Sequence, residues 1–274
     1  MLTRIVSAAV AIVIAVIVLL LHNTIVFNLA IGFISVVAIL EIFKASGKTK
    51  HKIQAILCYA YAAIDAVIPF FHKHGWLTFF TNRLYFGLFA MAMFFLYLRT
   101  YKKYNFFDLF FMLGVAILIP YSFGTLVYMS MMSHGVFLIV TTLCAAWLAD
   151  SGAYFAGTFF GKTKLCPKIS PKKTVEGLIG GVLSNGLILL AIGFAYHAWK
   201  DVSLNYVMLF VSGLAAALIG VLGDLTASEI KRQCGIKDYG NLMPGHGGVM
   251  DRFDSVLLVA PFMYYMILQG LIIK

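Results

Sequence analysis

The residues able to do chemistry gather in one stretch, 228–254, which reads SEIKRQCGIKDYGNLMPGHGGVMDRFD. Only 12% of the chain is charged, yet Glu229, Lys231, Arg232, Lys237, Asp238, Asp251, Arg252 and Asp254 all fall here. Asp224 stands one helical turn upstream, and Gly235, Gly240, Gly245, Gly247 and Gly248 surround Pro244 and His246. Long hydrophobic runs lie on both sides. Cations, carboxylates and a flexible backbone gathered between apolar helices suit a phosphorylated substrate and a metal ion.

Asp224, Ser228, Lys231 and Arg232 are spaced i, i+4, i+7 and i+8, so a helix would put them on one face. Lys231 and Arg232 also suit anchoring, with their charges snorkelling to lipid headgroups. Asp224 favours a site, because an acid inside an apolar boundary is costly and usually functional. Asp251 and Asp254 open the last apolar run, where one acid would serve to cap a helix N-terminus. Two acids with Arg252 between them, taken with Asp224, offer oxygen ligands to a hard cation such as Mg²⁺. That ion takes one or two protein carboxylates and completes its shell with substrate phosphates. Gly245, Gly247 and Gly248 let backbone N–H groups turn toward a phosphate. His246 reads as a general base, a metal ligand or a satisfied loop histidine, the last being the default for a lone histidine.

A second loop, 161–174, carries five lysines. The preceding AGTFFGKT imitates a phosphate-binding P-loop, but Ala156 stands where the first glycine is required and the segment before it is an apolar helix. Lys172 and Lys173 come just ahead of a helix start, where cations are poor partners for the dipole. A bound anion is therefore expected there, although topology-setting charge explains the same residues. Asp150 lies inside its apolar segment and is a candidate site residue. Asp65, deep in the third apolar run, is expected to pair with a polar group on another helix.

The elements that must position these residues follow from hydropathy. At 62% hydrophobic, the chain is well above the roughly 45–50% of soluble domains, and its mean hydropathy is +0.94. An all-α, polytopic integral membrane protein is expected. Since a span needs about 20 apolar residues, nine runs qualify: 5–21, 24–43, 53–71, 77–98, 107–129, 135–160, 175–198, 204–227 and 252–272. With the N-terminus in the cytoplasm and the C-terminus outside, 17 of the 21 lysines and arginines fall on the inner side, as the positive-inside rule requires. Residues 1–134 then form an N-terminal region of about five spans. Residues 135–274 form a catalytic region of about four, with cytoplasmic loops at 161–174 and 228–251. The N-terminal apolar run is longer than a signal-peptide core and reads as a retained helix. Four cysteines without CxxC spacing suggest neither a disulfide framework nor a zinc site.

The motif S-x-I-K-R-x4-K-D-x-G-x2-M-P-x-H-G-G-V-x-D-R-F-D resembles the signature of the phosphatidate cytidylyltransferases (CDP-diacylglycerol synthases), with WLADSGAYFAG at 147–157 and SPKKTVEG at 170–177 extending the likeness. Met243 departs from the family's usual Leu, Ile or Phe, a mild change. The resemblance implies the reaction of CTP with phosphatidate in the bilayer, giving CDP-diacylglycerol and pyrophosphate. It implies Mg²⁺ held at Asp224 and Asp251, with Asp254 nearby, and leaves a second cation and a homodimer open. On this reading Lys231 and Arg232 join the catalytic set. Ser228, Lys237, His246, Gly247, Gly248, Arg252, Lys172, Lys173 and Asp150 bind substrate. The expected location is a bacterial inner membrane with the site facing the cytoplasm, and no nucleic-acid partner is expected. A CTP-dependent polyprenol kinase and a transporter are the rival readings. A CDP-alcohol phosphotransferase would need a D-G-x2-A-R string that the chain lacks.

Overall fold

The computed structural model describes residues 2–242, 245 and 247–273, with the backbone alone for 2–5. Its helices are α1 (Leu2–Leu20), α2 (Ile25–Ala45), α3 (Lys52–Lys73), α4 (Asn82–Arg99), α5 (Phe106–Ser130), α6 (Gly135–Phe160), α7 (Val175–Lys200), α8 (Tyr206–Gln233), α9 (Met250–Phe253) and α10 (Val256–Leu268). Six of them, α2, α3 and α5 to α8, are long and apolar enough to cross a membrane, while Val6–Leu20 and Val256–Leu268 are shorter apolar helices. The described residues form an all-α membrane protein, apart from a local β-hairpin and an isolated bridge between Leu204 and Ile273. Within 161–174, β1 (Lys164–Cys166) pairs antiparallel with β2 (Ser170–Thr174), so the segment expected as a loop between two helices contains a hairpin.

Helix starts follow from capping chemistry. The side chains of Thr24, Thr81, Asn105, Thr174 and Asn205 accept the N–H groups of Val26, Leu84, Asp108, Gly177 and Met208, satisfying amides that have no helical carbonyl. The apolar run expected to end near 227 continues as helix through Gln233, so Ser228, Lys231 and Arg232 lie on α8 itself.

The chain forms two compact units, 1–131 with 236–252, and 132–235 with 253–274. In the first, buried polar groups are paired across helices. Asn28 Nδ2 donates to the Ala66 carbonyl at 2.7 Å. The Tyr85 hydroxyl on α4 donates to Asp65 on α3, which supplies the interhelical partner that Asp65 requires. Asp108 is held by Lys48 and, at 3.1 Å, by His51. Burial holds the His51 imidazole below its usual range, while Asp108 pulls in the opposite direction.

The second unit is built on close approach. Lipid gives apolar helices no reason to associate, so contact between them depends on small residues and interhelical hydrogen bonds. A Cβ added to Gly181 of α7 would lie 2.7 Å from the Ala149 carbonyl oxygen of α6, and one on Gly177 would lie 2.8 Å from that of Ala153. Asn185, fully buried, donates through Nδ2 to Ala145 O at 3.0 Å and Gly213 O at 2.9 Å, tying α7 to both α6 and α8.

Gly181→Ala is expected to push α6 from α7 and to lower stability by about 1–3 kcal/mol, the usual range for overpacking. Thermal unfolding in detergent reads this as a lower midpoint. Gly114→Ala, where an added Cβ meets nothing within 4 Å, is the control and should not lower it.

Candidate functional site

In the second unit the hairpin is fixed at its root. Glu176, in the first turn of α7, accepts the N–H groups of Lys162 and Thr163, each at 3.1 Å. The Val175 N–H donates to the Thr163 carbonyl at 2.9 Å. The strand so anchored delivers Lys173 between α6 and α8. Its Nζ lies 2.5 Å from Asp224 Oδ2 and 3.8 Å from Asp150 Oδ1. Lys173 and Asp150 border a cleft of about 360 Å³, lined also by Tyr154, Thr158, Lys172 and Thr174, and Asp224 is tied to it through Lys173. That volume is within the usual range for small-ligand sites.

Asp254, just before α10, is buried, and its Oδ1 accepts the Ser255 N–H at 2.7 Å. It feels the charges of Asp224, Lys231 and Asp150. Glycine makes this approach feasible: a Cβ on Gly223 would sit 2.7 Å from the Asp254 carbonyl oxygen. Ser228 is half-buried one turn beyond Asp224, and Lys231 and Arg232 occupy the last turn of α8. Cations there are also favoured by the helix dipole, which keeps an anchoring role in play for them.

Lys173 has partners that its neighbours in sequence do not reveal. Its charge is matched by two carboxylates of the chain, so its place ahead of α7 does not by itself call for a bound anion. The same geometry bears on a cation. One compact positive group is reached by two carboxylates, which is the protein's usual share of a Mg²⁺ shell. Among the described residues, no three His, Cys, Asp or Glu side chains surround a common metal position. The donor set fits an ion whose remaining ligands come from substrate phosphates and water.

The first unit holds the rest of the expected residues. Lys237 and Arg252 are exposed. Asp251 Oδ2 accepts the N–H groups of Tyr239 at 2.8 Å and Gly248 at 3.0 Å, so the Gly248 amide, expected to face phosphate, is given to the chain's own carboxylate. Gly245 and Gly247 have φ of 79° and 89°, which explains glycine at both. His246, Met243 and Pro244 lie outside the described residues. One residue escaped the sequence reading altogether. Glu41 of α2 is buried and accepts the Val249 and Met250 N–H groups. Its signal was available, since it is the lone acid in the second apolar run, the cue that marked Asp65. Tyr154 and Thr158 carried no comparable signal.

Comparison with known proteins gives a consistent picture. The model of the cytidylyltransferase family matches residues 2–269. Proteins named phosphatidate cytidylyltransferase are similar over about half of the chain. The Bacillus subtilis protein is 42% identical over 134 residues, covering 49% of this chain and 48% of the relative. The Haemophilus influenzae protein is 44% identical over 136 residues, 48% of this chain and 46% of the relative. The Rickettsia felis protein is 42% identical over 151 residues, 54% and 66% respectively. The alignments to the first two span about half the length of these curated relatives.

The Lys173–Asp224 pair should show thermodynamic coupling. Lys173→Met and Asp224→Asn are each expected to lower the unfolding midpoint in detergent. The double variant should lose less than the sum, with a coupling of about 1 kcal/mol. Additive losses would contradict the pairing.

Proposed function

Since the chain belongs to the cytidylyltransferase family, we propose that it transfers the cytidylyl group of CTP to phosphatidate, giving CDP-diacylglycerol and pyrophosphate. The names of the relatives support the substrates, and the single observation that carries the assignment to a site is Lys173, which lines a cleft with Asp150 and is paired with both Asp150 and Asp224. A phosphate oxygen of phosphatidate forms a bond to the α-phosphorus of CTP, and the bond from that phosphorus to the bridging oxygen breaks as pyrophosphate leaves. The nucleophile is already an anion at neutral pH, so a strong base is not needed. The obstacle is bringing two polyanions together and stabilising charge on the leaving group, which fixed cations and electrostatic preorganisation address.

Lys172 and Lys173 line the cleft, and Lys231 stands close enough to act on Asp254 electrostatically. We assign these lysines, with Arg232, to phosphate charge. Asp224, with Asp150 beside it, would hold Mg²⁺, and the ion would supply neutralisation of phosphate charge there. Asp254 is the reserve carboxylate beside them. A part for Asp251 in holding the ion, and for Lys237 and Arg252 on phosphate, rests on the resemblance of their motif. The nine-span arrangement, with the N-terminus and both charged loops in the cytoplasm, belongs to the same proposal. Its support is the distribution of lysine and arginine.

Label from CTP should enter the lipid fraction only when phosphatidate is present. EDTA should stop that transfer and Mg²⁺ restore it. Asp224→Asn, which keeps size and removes charge, should reduce kcat/KM by two powers of ten or more, about 2.8 kcal/mol of transition-state stabilisation. Near wild-type turnover by that variant across a Mg²⁺ titration would remove Asp224 from the ligand set.

Topology is tested separately. After replacement of the native cysteines, a cysteine at 201 should react with an impermeant thiol reagent in intact cells, while one at 49 or 169 should be shielded. Equal labelling at 49 and 201 would sink the arrangement.

A further inference from the structure

We propose that Glu41 is a positioning residue for the glycine-rich loop 239–251, acting through a carboxylate that α2 carries into the interior of the first unit. Glu41 is only 4% exposed. Each of its oxygens takes one backbone donor: the Val249 N–H reaches Oε1 at 3.0 Å and the Met250 N–H reaches Oε2 at 2.8 Å. Both amides lie at the start of α9, where no preceding helical carbonyl is available to them. The two ends of this contact are separated by 208 residues in sequence. The loop therefore takes its place from a helix far away in the chain.

The loop is cut to receive this side chain. A Cβ on Gly248 would lie 2.5 Å from both Glu41 carboxylate oxygens, and one on Gly240 would lie 2.9 Å from its carboxyl carbon. Neither glycine is among those with left-handed backbone, so space for Glu41, rather than turn geometry, accounts for the missing side chains. The next amide along belongs to a second carboxylate, because the Gly248 N–H donates to Asp251. Three successive amides, 248 to 250, are thus gripped by two acids. Asp251 follows directly, and where its carboxylate stands depends on where Glu41 holds residues 249 and 250. Glu41 touches neither substrate nor the reacting atoms in this account. It acts through the loop.

A bidentate carboxylate matched to two N–H groups has no equivalent in glutamine, whose NH₂ would face one of the donors. Glu41→Gln therefore removes the grip at nearly constant volume. The link to catalysis rests on the proposed cytidylyl transfer, so the test needs an arm that does not. Hydrogen–deuterium exchange of the full-length protein in detergent supplies it, read on peptides covering 239–251 and on control peptides from α3 and α5.

Glu41→Gln should speed exchange in 239–251 by about tenfold or more, leave the controls unchanged, and lower kcat by about tenfold or more with the unfolding midpoint near that of wild type. Unchanged exchange in the loop overturns the proposal, and so does faster exchange with an unchanged kcat. If the wild-type protein transfers no cytidylyl group, the proposed function fails on its own. The exchange arm then still decides whether Glu41 positions the loop: acceleration supports it and no acceleration overturns it. Should Glu41→Gln not fold, Gly240→Ala replaces it, since its methyl group would displace the carboxylate. Combined with Glu41→Ala, which makes room for that methyl, its effect on exchange should be much smaller than in the wild-type background. Equal effects in both backgrounds would overturn the contact.

Discussion

A carboxylate taken out of water needs a cation or a set of hydrogen-bond donors, and the organisation of this chain depends on meeting that need. Asp65 has the Tyr85 hydroxyl, Asp108 has Lys48 and His51, Glu41 has two backbone amides, and Asp224 has Lys173. These partners come from other helices or loops in each case. The acids therefore act as fixed points between elements, in a solvent where apolar surface gives helices no reason to choose one neighbour over another. Removing one partner of such a contact leaves the other exposed to the full desolvation penalty, which is why the contacts define geometry as well as stabilise it.

The two units use this constraint differently. In the second, the charges converge on a cleft. Gly177 and Gly181 let α7 approach α6, Gly223 lets the chain before α10 approach α8, and the hairpin brings Lys173 to the acids. Two carboxylates on one ammonium form an arrangement that a small divalent cation can also use, once phosphates complete its shell. In the first unit, carboxylates act on backbone rather than on side-chain cations. Asp251 and Glu41 take up amides of a glycine-rich segment that would otherwise have many conformations. Rigid support for a loop that carries functional groups is what catalytic geometry demands.

Hydropathy alone located the long helices, because a run of about 20 apolar residues has few other uses. The cost of burying charge marked Asp65, Asp150 and Asp224 before any contact was known. What stayed hidden was non-local. The pairing of Lys173 was not legible, because its carboxylate partners lie on helices that no sequence neighbour reveals. The hairpin was missed because Pro167 and Pro171 argue against strands, and a two-stranded ribbon with free edges tolerates them. Charge ended the apolar run near 227, but the helical spacing of Asp224, Ser228, Lys231 and Arg232 already pointed to helix beyond it, as α8 shows. Glu, Ile, Lys, Arg and Gln continue a helix well, and Gly235, with φ of 66°, is the residue that stops it. Glu41 was overlooked although the rule that found Asp65 applies to it equally.

The position of the transferred phosphorus tests the account most directly, because a cytidylyltransferase and a CTP-dependent kinase move different parts of the same nucleotide. Purified protein would be given phosphatidate and CTP labelled with ³²P at either the α or the γ position. Label from the α position should appear in the lipid and label from the γ position in pyrophosphate, in equal amounts. Lipid labelled from the γ position, with CDP as the soluble product, would contradict the account.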